Sequence, residues 1–218
     1  MRRSAAAALA ALALAGCAGD EQEAAPAVPP AELLAQAADR LREQATFTVE
    51  SDTVRTRADR PDEPETVAEL DGALDLEQGR GRATVELNLG LPSSGGEAGL
   101  DDPIALRWDR STFETEIGGR SSRLPRAEAG ENGGAIGRIP DELEGIPELL
   151  ERGTDVRALD DHLAFTIPGG AAAEAWLDDG GRPERIVTRL EQEATAALPA
   201  RTLEVTYELA DLGEPYPG

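Results

Sequence analysis

The hydrophobic and polar residues of the chain follow a helical period first and an alternating period afterwards. Residues 31–45 are good helix formers whose apolar members fall on one stripe, as in an amphipathic helix. This stripe consists of Leu34, Ala37, Ala38, Leu41 and Ala45. From Thr46 the period changes to two, and Phe47 and Val49 alternate with polar neighbours. The pattern therefore predicts a helix of about four turns that is followed directly by a β-strand.

Further alternating runs bring the number of predicted strands to about nine. They cover residues 68–76, 82–89, 104–108, 113–117, 163–167, 173–177, 186–190 and 203–209. Residues 57–65 contain two prolines among charged neighbours and predict a turn. Residues 118–137 are rich in glycine and poor in apolar side chains, which predicts an exposed, flexible loop. Residues 141–152 predict a helix that Gly145 and Pro147 split into two short pieces.

The predicted strands are apolar on one face only, which is typical of an antiparallel sheet with one solvated side. One long helix and one broken helix are too few to cover the inner face of so large a sheet. The sheet therefore either curls onto itself or leaves an apolar hollow.

The charge of the chain excludes one class of partner, and its residue types disfavour several kinds of site. Asp and Glu number 43 against 21 arginines, there is no lysine, and the net charge is −22, so the chain repels a nucleic-acid backbone. One Cys and one His exclude a disulfide framework and a Cys-rich or His-rich metal site, and no cofactor is expected. His162 follows two aspartates, but no serine lies in a Gly-x-Ser-x-Gly elbow, so we do not expect an enzyme.

The amino terminus has the layout of an export signal. Two arginines precede an apolar run over residues 5–15, which is too short to span a hydrocarbon core that needs roughly 20 residues. The segment Leu14-Ala15-Gly16-Cys17 resembles the lipobox of bacterial lipoproteins, which implies cleavage before Cys17 and a diacylglyceryl group on its thiol. The alternative is a secretory peptide with an incidental cysteine.

This interpretation divides the chain into three parts. Residues 1–16 form a lipoprotein signal peptide, residues 17–30 form the acylated cysteine and a flexible tether, and residues 31–218 form a single domain. Two acyl chains hold a protein stably on a bilayer. We therefore expect a lipid-anchored protein on the outer face of a bacterial cytoplasmic membrane.

Five segments in addition to the lipobox carry a resemblance to the LppX/LprG-type lipoproteins of actinobacteria. They are Ala31-Glu-Leu-Leu, Phe47-Thr-Val-Glu, Leu70-Asp-Gly-Ala-Leu-Asp-Leu, Ala175-Trp-Leu-Asp-Asp-Gly-Gly-Arg-Pro-Glu-Arg-Ile186 and Val205-Thr-Tyr-Glu-Leu-Ala-Asp-Leu-Gly-Glu-Pro215. The resemblance implies an α+β fold shared with the LolA/LolB carriers, namely a strongly curved antiparallel β-sheet, or half-barrel, with helices across its concave face. It also implies binding of an acylated lipid or glycolipid in an apolar cavity, for transport or presentation at the cell envelope, with a membrane transporter as a further partner.

The candidate lining of such a cavity follows from the predicted elements. It consists of Leu34, Ala38, Leu41, Phe47, Val49, Leu74, Val85, Leu87, Phe113, Ile117, Phe165 and Val205. An acyl tail needs only a dry wall of this kind, because it gains about 25 cal/mol per Å² on leaving water. The same residues are equally compatible with an ordinary filled core. In that case the rival function is a lipid-anchored interaction protein that binds a membrane protein or a cell-wall component.

Arg55 and Arg57 continue the odd-numbered phase of Phe47 and Val49. On a strand without a bulge they end the apolar inner face with two guanidinium groups, which can bind a phosphate-bearing headgroup through forked hydrogen bonds. The alternative is a pair of surface arginines that are balanced by the abundant carboxylates.

Overall fold

The computed structural model of the protein describes residues 28–88, 102–195 and 199–217. The predicted signal peptide, Cys17 and most of the tether lie outside these residues. The helices are α1 (Pro30–Gln44), α2 (Arg126–Asn132), α3 (Ile139–Glu144) and α4 (Ile146–Glu151), with a 3-10 turn at Ile136–Arg138. The strands are β1 (Thr46–Arg57), β2 (Arg60–Asp75), β3 (Arg80–Leu87), β4 (Ile104–Trp108), β5 (Thr112–Ile117), β6 (Arg120–Pro125), β7 (Thr154–Ala158), β8 (Leu163–Thr166), β9 (Ala172–Leu177), β10 (Pro183–Gln192) and β11 (Arg201–Ala210).

The described strands form one antiparallel sheet in the order β6-β5-β4-β3-β2-β1-β11-β10-β9-β8-β7. Strands adjacent in sequence are neighbours, except that β1 and β11 pair at the centre and β6 and β7 end the sheet at opposite edges. The helical segment from α2 to α4 connects these two edges and contributes side chains to the same core as α1. We call the face of the sheet that carries the helices the inner face. The predicted class, a curved antiparallel sheet with helices on one face, is confirmed.

Helix α1 forms where the periodicity predicts it. It begins with Pro30, whose missing N–H costs nothing in the first turn, and it ends at Ala45, which has a φ of 61°. Four residues of its apolar stripe, Leu34, Ala37, Ala38 and Leu41, are at most 1% exposed, whereas Ala45 is half-buried. The helix packs against α4, β7 and β10. Burial of this stripe stabilises the helix more than its intrinsic propensity does.

The prediction of a flexible loop over residues 118–137 is wrong. Gly118 and Gly119 have φ values of 54° and 76° and form the two-residue turn of a hairpin in which Ile117 pairs with Arg120. Strand β6 and helix α2 follow within the segment. Because β6 is an exposed edge strand with one half-buried side chain, Leu124, its sequence shows no alternation.

The turn predicted over residues 57–65 is also too long, because β2 begins at Arg60. Strand β3 pairs with β2 only from Ala68 onward, so the first residues of β2 lie at an edge where Pro61 and Pro64 are tolerated. The sequence pattern does not predict strand β7, since only Val156 of its five residues is half-buried. The split of the second helical segment is confirmed: α3 ends before Gly145, and α4 has Pro147 in its first turn.

Candidate functional site

The pairing of β1 with β11 fixes which residues lie opposite each other on the inner face of the sheet. The ladder runs without a register shift from Thr48 to Arg57. Side chains therefore keep their face along the whole of β1, and Arg55 and Arg57 lie on the same face as Phe47 and Val49, as predicted. The inner-face pairs, from the covered end to the tip, are Val49–Leu209, Ser51–Tyr207, Thr53–Val205, Arg55–Leu203 and Arg57–Arg201.

Most of the predicted lining residues lie at the covered end of this face. At most 4% of each residue's accessible surface remains for Leu34, Ala38, Leu41, Phe47, Val49, Leu74, Val85, Phe113 and Phe165. Residues that line a hollow large enough for water keep some accessible surface, because water can touch them from inside. These nine residues have almost none, so they form a packed core in this structure. Two of the twelve predicted lining residues, Phe47 and Leu74, line a cleft of about 320 Å³ beside Asp211 and Tyr216. That the nine line a lipid cavity stays a prediction.

The other three predicted lining residues, Leu87, Ile117 and Val205, are only half-buried. They belong to a group of inner-face positions that are not fully buried, which we call the open patch. It consists of Thr53, Ala68, Leu70, Leu87, Ile117, Leu190, Leu203 and Val205. Leu190 is 43% exposed although it lies on the same face as the core. The helices therefore leave part of an apolar sheet surface uncovered.

Tyr207 lies at the border between the core and the open patch. Burial and, as the smaller cause, the carboxylate of Glu142 on α3 raise the pKa of its phenol to about 12. Tyr207 also packs against the core from one side. Tyr207 is half-buried, whereas Leu209, the next inner-face residue of β11, is buried, so the open patch begins on the tip side of Tyr207.

A row of arginines ends the inner face beyond the open patch. Arg55 forms a salt bridge of 2.5 Å with Glu65, and Arg57 forms two hydrogen bonds with Asp59 at 3.0 and 2.8 Å. The structure adds Arg201, which lies directly opposite Arg57 and which the sequence pattern does not single out. Its position depends on the pairing of two strands that are distant in sequence, and no local pattern reports that pairing.

A second feature is a charged cleft of about 840 Å³ between α2, α3 and the turns at one end of the sheet. Arg126 binds Asp141 at 2.6 Å and Glu144 at 3.4 Å, and the indole Nε1 of Trp108 donates a hydrogen bond of 2.7 Å to Glu144. Burial raises the pKa of Glu142 at the same cleft. Cations and carboxylates alternate along the wall, so the cleft favours no single sign of ligand.

The remaining candidate chemistry has structural explanations. The His162 ring stacks on Trp176 with 4.8 Å between centroids, and its Nδ1 lies 2.7 Å from Asp161. Among residues 28–88, 102–195 and 199–217, no group of three His, Cys, Asp or Glu side chains is placed to hold a metal. In the same ranges, no helix combines the length and apolar character needed to cross a membrane.

The comparisons with known proteins give matches to solved structures alone. No family model matches the chain, and no curated protein sequence matches it at a significant level. LprF from Mycobacterium bovis is 14% identical, with 85% of this chain and 93% of that chain covered and a TM-score of 0.46. The LolA superfamily protein NE2245 from Nitrosomonas europaea is 12% identical, with coverages of 85% and 93% and a TM-score of 0.34.

A chain of the Pseudomonas aeruginosa MucA/MucB complex is 14% identical, with 83% of this chain and 55% of that chain covered and a TM-score of 0.36. LprF is of the LppX/LprG type, and NE2245 belongs to the LolA superfamily. These are the two groups that the sequence segments resemble.

Proposed function

We propose that this chain is a lipid-anchored protein of the outer face of a bacterial cytoplasmic membrane, where it binds an acylated lipid for transport or presentation. The open patch carries the proposal, because it is an apolar surface on the inner face of the sheet that the helices leave uncovered. The lipobox-like segment ending at Cys17 supports the anchor and the location. The sequence resemblance to the LppX/LprG-type lipoproteins supports the class of ligand.

The dimensions of the open patch suit a single acyl chain. Along the strands it extends from Leu70, which lies opposite Ser51, to Leu203, which lies opposite Arg55, a separation of four residues of β1 or roughly 14 Å at the rise of an antiparallel strand. One leaflet of a hydrocarbon core of about 30 Å is roughly 15 Å thick, so one acyl chain fits along the patch. Each methylene that leaves water contributes about 0.8 kcal/mol, and no catalytic group is needed.

The first experiment asks whether the protein carries lipid. The buried hydrophobic core extends from Leu34 to Leu209, so a chain that begins at Ala18 contains the whole core and lacks the anchor. This chain is purified, extracted with organic solvent and titrated with 1-palmitoyl-lysophosphatidylcholine by native mass spectrometry. We expect stoichiometric lipid in the extract or one bound probe per chain. A lipid-free protein that also resists loading contradicts the proposal.

A matched pair of variants locates the binding surface. Leu190 and Leu159 are 43% and 51% exposed, but only Leu190 lies in the open patch; Leu159 lies in the turn between β7 and β8. We expect Leu190→Asn to weaken binding of the palmitoyl probe about tenfold, because a tenfold change requires only about 1.4 kcal/mol of lost apolar contact. Leu159→Asn should leave the affinity unchanged. Equal effects of the two substitutions count against the open patch as the site.

The packed core beneath α1 and the charged cleft favour a second candidate function, a lipid-anchored interaction protein whose cleft binds a membrane protein or a cell-wall component. This candidate predicts that the chain from Ala18 binds no palmitoyl probe. It also predicts that substitutions in the cleft, such as Arg126→Gln, alter partner binding while Leu190→Asn does not.

A further inference from the structure

We propose that the lipid of the open patch is anionic and that its phosphate-bearing headgroup binds to a row of arginines at the tip of the inner face. The inference rests on the proposed function and adds the class of headgroup. It follows from the strand register, from the salt bridges at the tip and from one buried nitrogen without a partner.

The register brings three arginines side by side. Arg57 on β1 lies opposite Arg60 on β2 and opposite Arg201 on β11. Directly opposed residues of an antiparallel pair have Cβ atoms about 4.5–5.5 Å apart, and like charges at such positions destabilise the sheet. Arg57 is therefore flanked on both neighbouring strands by a residue of like charge.

Carboxylates balance only part of this charge. Arg57 pairs with Asp59 at 2.8 Å, and Arg60 pairs with Glu63 at 3.4 Å. Arg201 donates from Nε to the neutral amide oxygen of Gln192 at 2.6 Å. Among the described residues, no salt bridge joins Arg201 to a carboxylate.

Arg55 supplies the second observation. It lies one inner-face position from Arg57 and diagonally across the ladder from Arg201, about 7–8 Å away and within reach of long side chains. One terminal nitrogen pairs with Glu65, but Nε is buried and has no hydrogen-bond partner. Buried N–H groups are nearly always paired, so this nitrogen lacks an acceptor.

A phosphate group matches these requirements. Its several oxygens accept forked, charge-assisted hydrogen bonds from more than one guanidinium group. An ion in free solution gains nothing from the neighbouring leucines, whereas a lipid headgroup comes with a tail. Leu203 lies directly opposite Arg55 and Leu190 directly opposite Leu203, so the arginines and the apolar patch are continuous. The proposed occupant is therefore an anionic phospholipid.

The test compares two probes that share one palmitoyl chain, both used below the concentration at which they form micelles. For the chain from Ala18, we expect 1-palmitoyl-lysophosphatidic acid to bind at least about tenfold more tightly than 1-palmitoylglycerol, which lacks the phosphate, the effect of one charge-assisted hydrogen bond. Arg57→Gln and Arg201→Gln should each weaken binding of the lysophosphatidic acid and so reduce this preference. Arg201→Lys should keep part of the preference.

Arg189→Gln is the matched control. Arg189 lies near the same end of the sheet but on the outer face, where it pairs with Glu204 at 2.6 Å. Its loss removes the same charge and should leave the preference intact. Thermal unfolding of every variant shows whether the fold is retained.

The remaining outcomes separate the two proposals. Equal affinity for the two probes overturns the anionic headgroup and leaves the proposed function standing. Failure of both probes to bind overturns the proposed function and this inference with it. Arginine-dependent binding of inorganic phosphate alone, with no gain from the palmitoyl chain, identifies a free-anion site and also overturns the inference.

Discussion

Gly153 lies so close to Leu34 that a Cβ atom at residue 153 would stand 2.6 Å from Leu34 Cδ2. The same atom would stand 2.7 Å from Cδ2 of Phe165. The turn between α4 and β7 is thus packed directly against α1 and β8, and the interior has no spare room at this point. This contact favours the open patch, rather than the interior beneath α1, as the place of the proposed lipid.

The first prediction concerns this contact. Gly153→Ala should lower the free energy of unfolding by about 1–3 kcal/mol, because the extra methyl group overpacks the core. Gly130→Ala is the control, since a methyl group at residue 130 would have Arg138 Cγ, 3.9 Å away, as its nearest neighbour. Because glycine within a helix is less favourable than alanine by about 0.5–1 kcal/mol, this substitution should not lower the free energy of unfolding. Urea unfolding checks both. A Gly153→Ala protein as stable as the parent would show that the interior is loosely packed.

The second prediction concerns the hydrogen bond from Trp108 to Glu144. Trp108 is 4% exposed and joins β4 to α3 through this bond. Trp108→Phe should cost about 1–3 kcal/mol, since the carboxylate loses its donor and the ring loses volume. Glu144→Gln keeps an acceptor oxygen in place and should cost less. The order of the two unfolding midpoints in urea is the measurement, and a reversed order contradicts the assigned bond.

The third prediction concerns Tyr207. Its pKa is raised from the ordinary value of 10.0 to about 12, so the folded state holds the phenolic proton more tightly than the unfolded state does. The stabilisation is complete below pH 10 and is lost as the pH rises from 10 towards 12. Tyr207→Phe should flatten this loss of stability and remove the phenolate absorbance step near pH 12. Glu142→Gln should move that step to lower pH, and a step that does not move excludes the interaction with Glu142.

The fourth prediction concerns the anchor. Cys17→Ser in the full chain should abolish incorporation of radiolabelled palmitate in a bacterial host that processes lipoproteins, because the acceptor thiol is lost. The parent chain should fractionate with membranes and be released by detergent. Residue 18 is the matched control, since Ala18→Ser introduces the same side chain beside the cysteine and should leave labelling intact. Labelling of the Cys17→Ser chain would exclude this residue as the acyl site.

Burial on one face explains which elements the sequence predicts. Helix α1 and the central strands carry strong periodicity because each has one face against the core, as Leu34 and Val49 show. Strands β6 and β7 bury little and leave no such signal. The Gly118-Gly119 pair indicates flexibility when the sequence is considered by itself, although in the structure it closes a hairpin.

The sequence pattern likewise predicts some residues of the candidate site and misses others. The alternation along β1 places Arg55 and Arg57 on the inner face, and the ladder confirms that placement. The contribution of Arg201 depends on a pairing between distant strands, which alternation does not contain. Whether Leu41 faces a hollow or a neighbour depends on how side-chain volumes fill three-dimensional space, and the periodicity of the sequence is the same in both cases.

The position of a bound acyl chain is the most direct test of the account. The chain from Ala18 is loaded with a lysophosphatidylcholine whose palmitoyl chain carries a diazirine, irradiated, digested and sequenced by mass spectrometry. We predict that cross-links fall on β10 and β11, at Leu190, Leu203 and Val205. Cross-links confined to Leu34, Leu41 and their neighbours beneath α1 would show that the core opens to admit the lipid and would contradict the open patch as the binding surface.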